Sequence, residues 1–384
     1  MLNLSFSEDQ ELFRQMVREF AQTELAPGYL ERAKREEAPR EEFRKMAELG
    51  LTGINIPEEY GGQGADYVTI GIAIEEIARA DINCSYPIAV GGLGGGAFLK
   101  HGTPEQRETW LPKITRGETL LGLALTEPGC GSDAAAMKTT ALREGDGYVL
   151  NGEKSSISFV NCATDFFLFA KTDPKAGARG VSCFLVPMDA PGLTTSIFHD
   201  MGCKPIGRGA LALKEVHIPA SSLMGQEGRG FHLVMEEFDY TKVLIGLMCL
   251  GTAQAALEDA IAYAKERKAF GKPIARFEGV SFLIAEHATR MEAARLLCYQ
   301  ALWLRDQGKP HTKEASMCKW WVPKISAEAI HDALLIHGHL GYSDEYPLEQ
   351  RWRDVLAFQI ADGTAQIQKI IISREILGRE YLPY

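Results

Sequence analysis

Leu125-Thr126-Glu127-Pro128-Gly129-Cys130-Gly131-Ser132-Asp133 stands where the texture of the chain changes. Upstream, from Ser7 to about residue 117, apolar residues recur every three or four positions, as in Leu12, Met16 and Phe20, which is the spacing of helix faces. Breaks fall at Ala26-Pro27-Gly28, at 56–62 and at the glycines between 91 and 96, the last expected to loosen a helix or its start. Around and beyond the quoted stretch come short β-type runs at 120–125, 148–150, 166–170, 181–186 and 211–217. Turn signals such as Gly145-Asp146-Gly147 and Asn151-Gly152 separate them. Helical spacing returns over 231–268, 275–307, 313–340 and 365–380, with turns at Gly308-Lys309-Pro310 and 341–347. The expectation is an α+β chain in three parts: a helical domain over 1–117, a β domain over 118–229 and a helical bundle over 230–384.

A chain of 384 residues with 46% hydrophobic residues has the apolar material for a large core and for two or three domains. Its net charge of −10 disfavours nucleic acid and anionic lipid as partners, so an anionic ligand needs a local basic patch. The first residues carry no leader pattern and no long apolar run reads as a membrane span, which points to a cytoplasmic or organelle-matrix protein. The eight cysteines are scattered without a CxxC pair, and His331, His337 and His339 share no further ligand at metal spacing. Reduced thiols and no metal are expected.

Three stretches could carry chemistry. In 125–133 the glycines and small hydroxyls let backbone N–H groups approach a flat ring or a phosphate, although alone the stretch is only a polar turn. The run Lys265-Glu266-Arg267-Lys268-Ala269-Phe270-Gly271-Lys272-Pro273-Ile274 puts four cations at a helix end; it reads either as favourable C-terminal charge before a Gly/Pro stop or as a pyrophosphate clamp. Asp362-Gly363-Thr364 precedes a helix, and Asp362 read locally is a helix cap.

Taken together and in order, TEPGCGSD before a β domain, RKAFGKPI at the first long helix hairpin and DGTAQIQ opening the last helix resemble the acyl-CoA dehydrogenase family over nearly the whole chain. The resemblance implies an N-terminal helical domain, a central β-barrel-like domain and a C-terminal four-helix bundle. It implies FAD between the β domain and the bundle, and a homotetramer, a dimer of dimers, in which one subunit contributes to its neighbour's flavin site. By that likeness Leu123, Leu125, Thr126, Gly131 and Ser132 line the flavin ring and its phosphates, and Ile157 and Ser158 lie against its other side. Arg267, Phe270 and Glu278 hold the pyrophosphate and adenosine half, Gly338 and Gly341 approach from a second subunit, and Thr364 and Gln366 close the site. Substrate contacts fall on Ser132, Thr241 and Gly363, with Asp239 and Lys242 reaching the pantetheine and nucleotide ends of CoA. Gly91 and the glycines after it fall where relatives line the acyl pocket, and could give width for a ring. Departures from the family pattern are Ser156, where an aromatic residue often covers the flavin edge, Glu278 for glutamine and His339 for glycine.

The implied reaction is α,β-dehydrogenation of an acyl-CoA to the 2-enoyl-CoA, with the α-proton passing to a carboxylate and the β-hydride to flavin. The thioester oxygen is then held by a flavin hydroxyl and the base's own N–H. Most relatives carry glutamate at position 362, and those that move the base place glutamate where this chain has Thr241, which leaves Asp362 as the candidate. A free aspartate titrates near 3.9, low for a base, and burial should raise it. The missing methylene suggests a compact branched or alicyclic acyl group, as in the cyclohexane-1-carboxyl-CoA dehydrogenase type. The implied electron partner is an electron-transferring flavoprotein. Three alternatives stay open: an enoyl-CoA reductase running the reverse reaction, a carbon-acid oxidase like nitroalkane oxidase, and a flavin-free binding protein on the same fold.

Overall fold

The computed structural model describes residues 5–382. Six helices come first: α1 (Glu8–Phe20), α2 (Tyr29–Ala33), α3 (Arg40–Glu48), α4 (Tyr67–Ala80), α5 (Ile82–His101) and α6 (Pro104–Thr115). Their starts follow from side chains that take the orphan N–H groups: Ser7 and Thr103 form capping boxes with Gln10 and Gln106, and Asp66 accepts from Thr69 N–H. α5 runs unbroken through its glycines, against the expected break. The reason is contact. A Cβ on Gly91 would stand 2.0 Å from Thr52 O, one on Gly94 2.3 Å from a Leu121 methyl and one on Gly95 2.8 Å from Ile56. These positions trade helix propensity for close approach to neighbouring elements.

Eight strands follow: β1 (Leu121–Ala124), β2 (Thr140–Glu144), β3 (Gly147–Ile157), β4 (Asp165–Lys171), β5 (Val181–Pro187), β6 (Leu193–Ile197), β7 (Gly209–Pro219) and β8 (Leu223–Met224). They form one sheet in the order β6-β7-β3-β2-β4-β5-β8, with β1 parallel beside β4. β4 and β5 are apolar and buried on both faces, so they are the most deeply packed part of the sheet. β3 pairs with β7 over its whole length, with irregularities at Leu150/Gly152 and Ser155/Ile157, and the second re-aims the chain as it leaves the sheet.

The C-terminal part holds α7 (Gly230–Glu266), a small hairpin of β9 (Lys268–Ala269) and β10 (Lys272–Pro273), α8 (Glu278–Asp306), α9 (Thr312–His337), α10 (Pro347–Leu356) and α11 (Ala365–Leu377). α10 lies where the sequence reading had only a turn and a charged stretch. α7 is long and apolar enough to cross a bilayer by composition, but 78% of its most apolar window is buried among other elements. It is the spine of the fold. One continuous cluster joins Val17, Ile74 and Ile77 of the first part to Leu247, Leu250 and Val322 of the last. Gly251 permits that approach, because a Cβ there would stand 2.3 Å from Glu75 O.

Candidate active site

Asp362 lies in the short connection between α10 and α11 with φ +51°, a left-handed conformation that aspartate tolerates better than most residues. It does not cap α11. Thr364 does, accepting from Ile367 N–H at 3.5 Å. Among the described residues nothing hydrogen-bonds the Asp362 carboxylate or its N–H. Asp362 is exposed to solvent in this chain, with protein crowding part of its side chain. That crowding raises its carboxyl above the usual range, and the charges of Lys319 and Lys242 pull it back down. Solvent moderates both effects.

Tyr86 of α5 packs its ring 5.9 Å from Phe159, just after β3, and 5.8 Å from Phe358, just before Asp362. Its hydroxyl is pushed well up by burial, with Cys203 and the charge of Asp362 acting in the same direction. Beside it Arg208 donates to Ser156 Oγ at 2.9 Å and pairs with Asp200. Ser156 sits at φ +61°. One residue back, Ser155 N–H donates to Thr126 O at 2.9 Å and binds the 125–133 loop to β3.

That loop is braced from inside. Lys154, with no solvent exposure, donates to Leu125 O at 3.0 Å and to Glu127 Oε1 at 2.9 Å. Glu127 also accepts the N–H groups of Lys138 and Thr139. Burial lowers the Lys154 pKa, and burial opposes but does not outweigh the Lys154 charge and the N–H donors, which leave Glu127 below the usual carboxylate range. The result is a rigid turn whose outer face is bare. Gly131 and Ser132 are exposed, and the nearest atom to a Cβ on Gly131 is a Thr126 methyl at 4.0 Å. A loop with backbone this accessible, next to half-buried Leu123 and Thr126, fits the ring and phosphates of FAD. Leu125 and Ile157 are buried beneath this surface and support it, whereas Ser158 is half-buried.

Other expected site residues lie elsewhere. The β9–β10 hairpin packs on α7, with Arg267 and Glu278 exposed at its two ends and the Phe270 ring 95% exposed. Gly338 is exposed with nothing within 4 Å of a Cβ, but Gly341 is buried, its Cβ direction blocked by Leu334 O at 2.3 Å. Gln366 is exposed on the first turn of α11. Gly363 has φ +87° and packs on Gln368.

Lys242 is buried and pairs with Asp239 at 2.8 Å, and Thr312 Oγ1 donates to the same carboxylate at 2.5 Å. A buried ammonium takes the nearest carboxylate because its desolvation must be offset. The directions that side chains would take at Gly91, Gly92, Gly94 and Gly95 meet protein atoms, and Gly91 lines a small cavity with Thr52, Pro87 and Ile114. Thr241 is buried, and its hydroxyl is 3.4 Å from Phe238 O.

Sequence reading missed Lys319. Its side chain, 1% exposed, donates to Phe358 O at 2.6 Å and lies 3.4 Å from Gly363 O. A signal was present: Ala315, Lys319 and Val322 follow helical spacing, which puts a lysine in the buried stripe of α9.

Models of the acyl-CoA dehydrogenase N-terminal, middle and C-terminal domains match residues 7–118, 122–216 and 228–377. The chain is 39% identical to the acryloyl-CoA reductase (NADH) of Anaerotignum propionicum, over 98% of this chain and 97% of that protein. It is 40% identical to the caffeyl-CoA reductase-Etf complex subunit CarC of Acetobacterium woodii, over 97% of this chain and 100% of that one. The solved structure of butyryl-CoA dehydrogenase from Megasphaera elsdenii superimposes with a TM-score of 0.95 at 32% identity, over 98% of this chain and 100% of that chain. With three domain models matched in sequence order over nearly its whole length, this chain belongs to the acyl-CoA dehydrogenase family.

Proposed function

We propose that the protein interconverts a 2-enoyl-CoA and the saturated acyl-CoA, with Asp362 carrying the α-proton, and that it works as the enoyl-CoA reductase. The family chemistry, FAD-dependent redox at an acyl-CoA or enoyl-CoA thioester, is the base of this reading. The freedom of Asp362 carries the residue assignment: its carboxylate and N–H are unbonded while Thr364 does the capping. The carboxylate is then placed to exchange a proton at the substrate α-carbon, and the N–H to receive the thioester oxygen. FAD, when bound, supplies or accepts the hydride at the β-carbon.

Reduction is favoured by one observation: two proteins about 40% identical to this one are named as reductases, of acryloyl-CoA and of caffeyl-CoA. Oxidation of an acyl-CoA is the second reading, favoured by the likeness to butyryl-CoA dehydrogenase. The reducing electrons are proposed to come from an electron-transferring flavoprotein, in line with the printed name of the CarC complex. We assign Leu123, Thr126, Gly131, Ser132 and Ser158 to the flavin, and the exposed Phe270, Arg267, Glu278 and Gly338 to a neighbouring subunit's half of the site in a homotetramer. The exposure of the Phe270 ring supports that assignment. We assign the protein a compact, branched or alicyclic substrate from the short reach of Asp362 and from Tyr86 packing on Phe358 just before it.

The test is spectroscopic and anaerobic. The protein reduced with dithionite is titrated with linear, branched and alicyclic 2-enoyl-CoAs, and the oxidised protein with the matching acyl-CoAs. Return of the oxidised flavin spectrum with an enoyl-CoA is expected. A flavin unchanged by both series would overturn the reading.

A further inference from the structure

We propose that Lys319 is the positioning residue of the acid–base centre: from α9 its ammonium ties the carbonyls on either side of Asp362, those of Phe358 and Gly363, and sets a buried positive charge beside the carboxylate. The proposal rests on Asp362 being the proton-transferring group.

Position 319 is in the interior stripe of α9 with Ala315, Cys318 and Val322, where an aliphatic side chain is the inexpensive choice. A buried ammonium is costly to desolvate unless paired. Yet among the described residues Lys319 hydrogen-bonds no carboxylate; its partners are two backbone carbonyls. Both carbonyls belong to the segment that carries Asp362, and the chain between them passes through two left-handed residues, Asp362 at +51° and Gly363 at +87°. A second buried side chain holds the same segment from α11: Gln368 Nε2 donates to Asp362 O at 3.3 Å and Gly363 O at 3.1 Å. The loop is therefore clamped through its carbonyls, which leaves the Asp362 N–H and carboxylate without a partner among the described residues.

Three elements present titratable or charged groups to Asp362: Lys319 from α9, Lys242 from α7 and Tyr86 from α5. Lys242 is already engaged by Asp239. Burial lowers the Lys319 pKa, and the Asp362 charge raises it in return, so the two groups favour one another's charged forms. Lys319 alone among the three also bonds the backbone of the loop.

The experiment uses the FAD-loaded protein with carbon-13-labelled aspartate. The Asp362 carboxyl signal is identified by its loss in Asp362→Asn and titrated in wild type, Lys319→Gln and Lys319→Arg. Removing the charge while keeping a donor, as in Lys319→Gln, is expected to move the Asp362 titration up by about one pH unit or more. The pH at which an acyl-CoA begins to reduce the flavin should move with it, and Lys319→Arg should restore both. Gln368→Met, which leaves every charge in place, is expected to speed amide exchange across 360–364 about tenfold or more without moving the titration. A Lys319→Gln carboxyl that titrates with wild type overturns the proposal; so does unchanged exchange in Gln368→Met, which decides the clamp even where Lys319→Gln does not fold. If Asp362→Asn retains full turnover, the functional reading fails while the titration still decides the role of Lys319.

Discussion

Asp362→Asn separates proton chemistry from architecture. Asparagine is nearly isosteric and enters the left-handed region as readily as aspartate, so φ +51° is kept. The ties to this loop run to backbone carbonyls and the cap of α11 belongs to Thr364, so among the described residues no hydrogen bond depends on the Asp362 carboxylate. Stability should change by no more than about 0.5 kcal/mol near pH 6, and FAD content should not change. Because burial raises the folded carboxyl above its unfolded value, the ionised form is a burden that grows as pH rises through that interval. Asparagine removes the burden, so the melting temperature of the variant relative to wild type should climb from pH 4 to pH 7. Catalysis should fall instead. A general acid–base group contributes roughly 10²–10⁴-fold, or about 3–5 kcal/mol of barrier. Anaerobic stopped-flow recording of flavin absorbance after mixing with acyl-CoA or enoyl-CoA reads that step in one turnover. A variant that exchanges electrons within a few-fold of wild type would remove Asp362 from the mechanism, because no structural loss is available to explain the result away.

Lys154→Met leaves Glu127 buried without its cation and takes a donor from Leu125 O, so unfolding in denaturant should show a loss of about 3–5 kcal/mol, with weakened FAD retention. Gly91→Ala drives a methyl onto Thr52 O and should cost about 1–3 kcal/mol, whereas Gly129→Ala, with nothing within 4 Å, should melt with wild type. Asp354 is fully buried, and burial pushes its carboxyl up to about 6 against the donors Cys203 N–H, Tyr29 and Gln350. Its folded pKa exceeds the unfolded value, so wild type should lose about 2 kcal/mol relative to Asp354→Asn as pH rises from about 4 to about 6. A pH-independent difference in unfolding free energy between the two would contradict that assignment.

The long helices were legible because their apolar stripes repeat over many turns, and α7, α8, α9 and α11 begin and end within a few residues of the expected limits. Short elements were harder. β2 and β6 were not anticipated: β6 is largely exposed, and only its pairing with β7 makes Leu193–Ile197 a strand. α10 carried a readable signal, proline at its first position and an amphipathic decapeptide, that was passed over beside the turn before it. The glycines of α5 suggested a break because a glycine-rich stretch has the same composition whether it loosens a helix or lets neighbouring elements touch; only the direction of the missing Cβ separates the cases. The Asp239–Lys242 pair was within reach of the sequence, since residues three apart on a helix can meet.

The same electrostatics bear on direction. Burial makes Asp362 a better donor, and the two lysines make its charged form easier to reach, so the group can give a proton or take one. No catalyst alters the equilibrium between an enoyl-CoA and its saturated thioester, and a proton position that serves one direction serves the other. What the chain can select is the geometry in which the proton moves, through a left-handed aspartate held by Lys319 and Gln368. Whether the protein reduces or oxidises then follows from the potential of the electrons its partner delivers. Hence the direction of this site is a property of the flavin and its electron partner, and substitutions at Asp362 or Lys319 should slow both directions by the same factor at equilibrium.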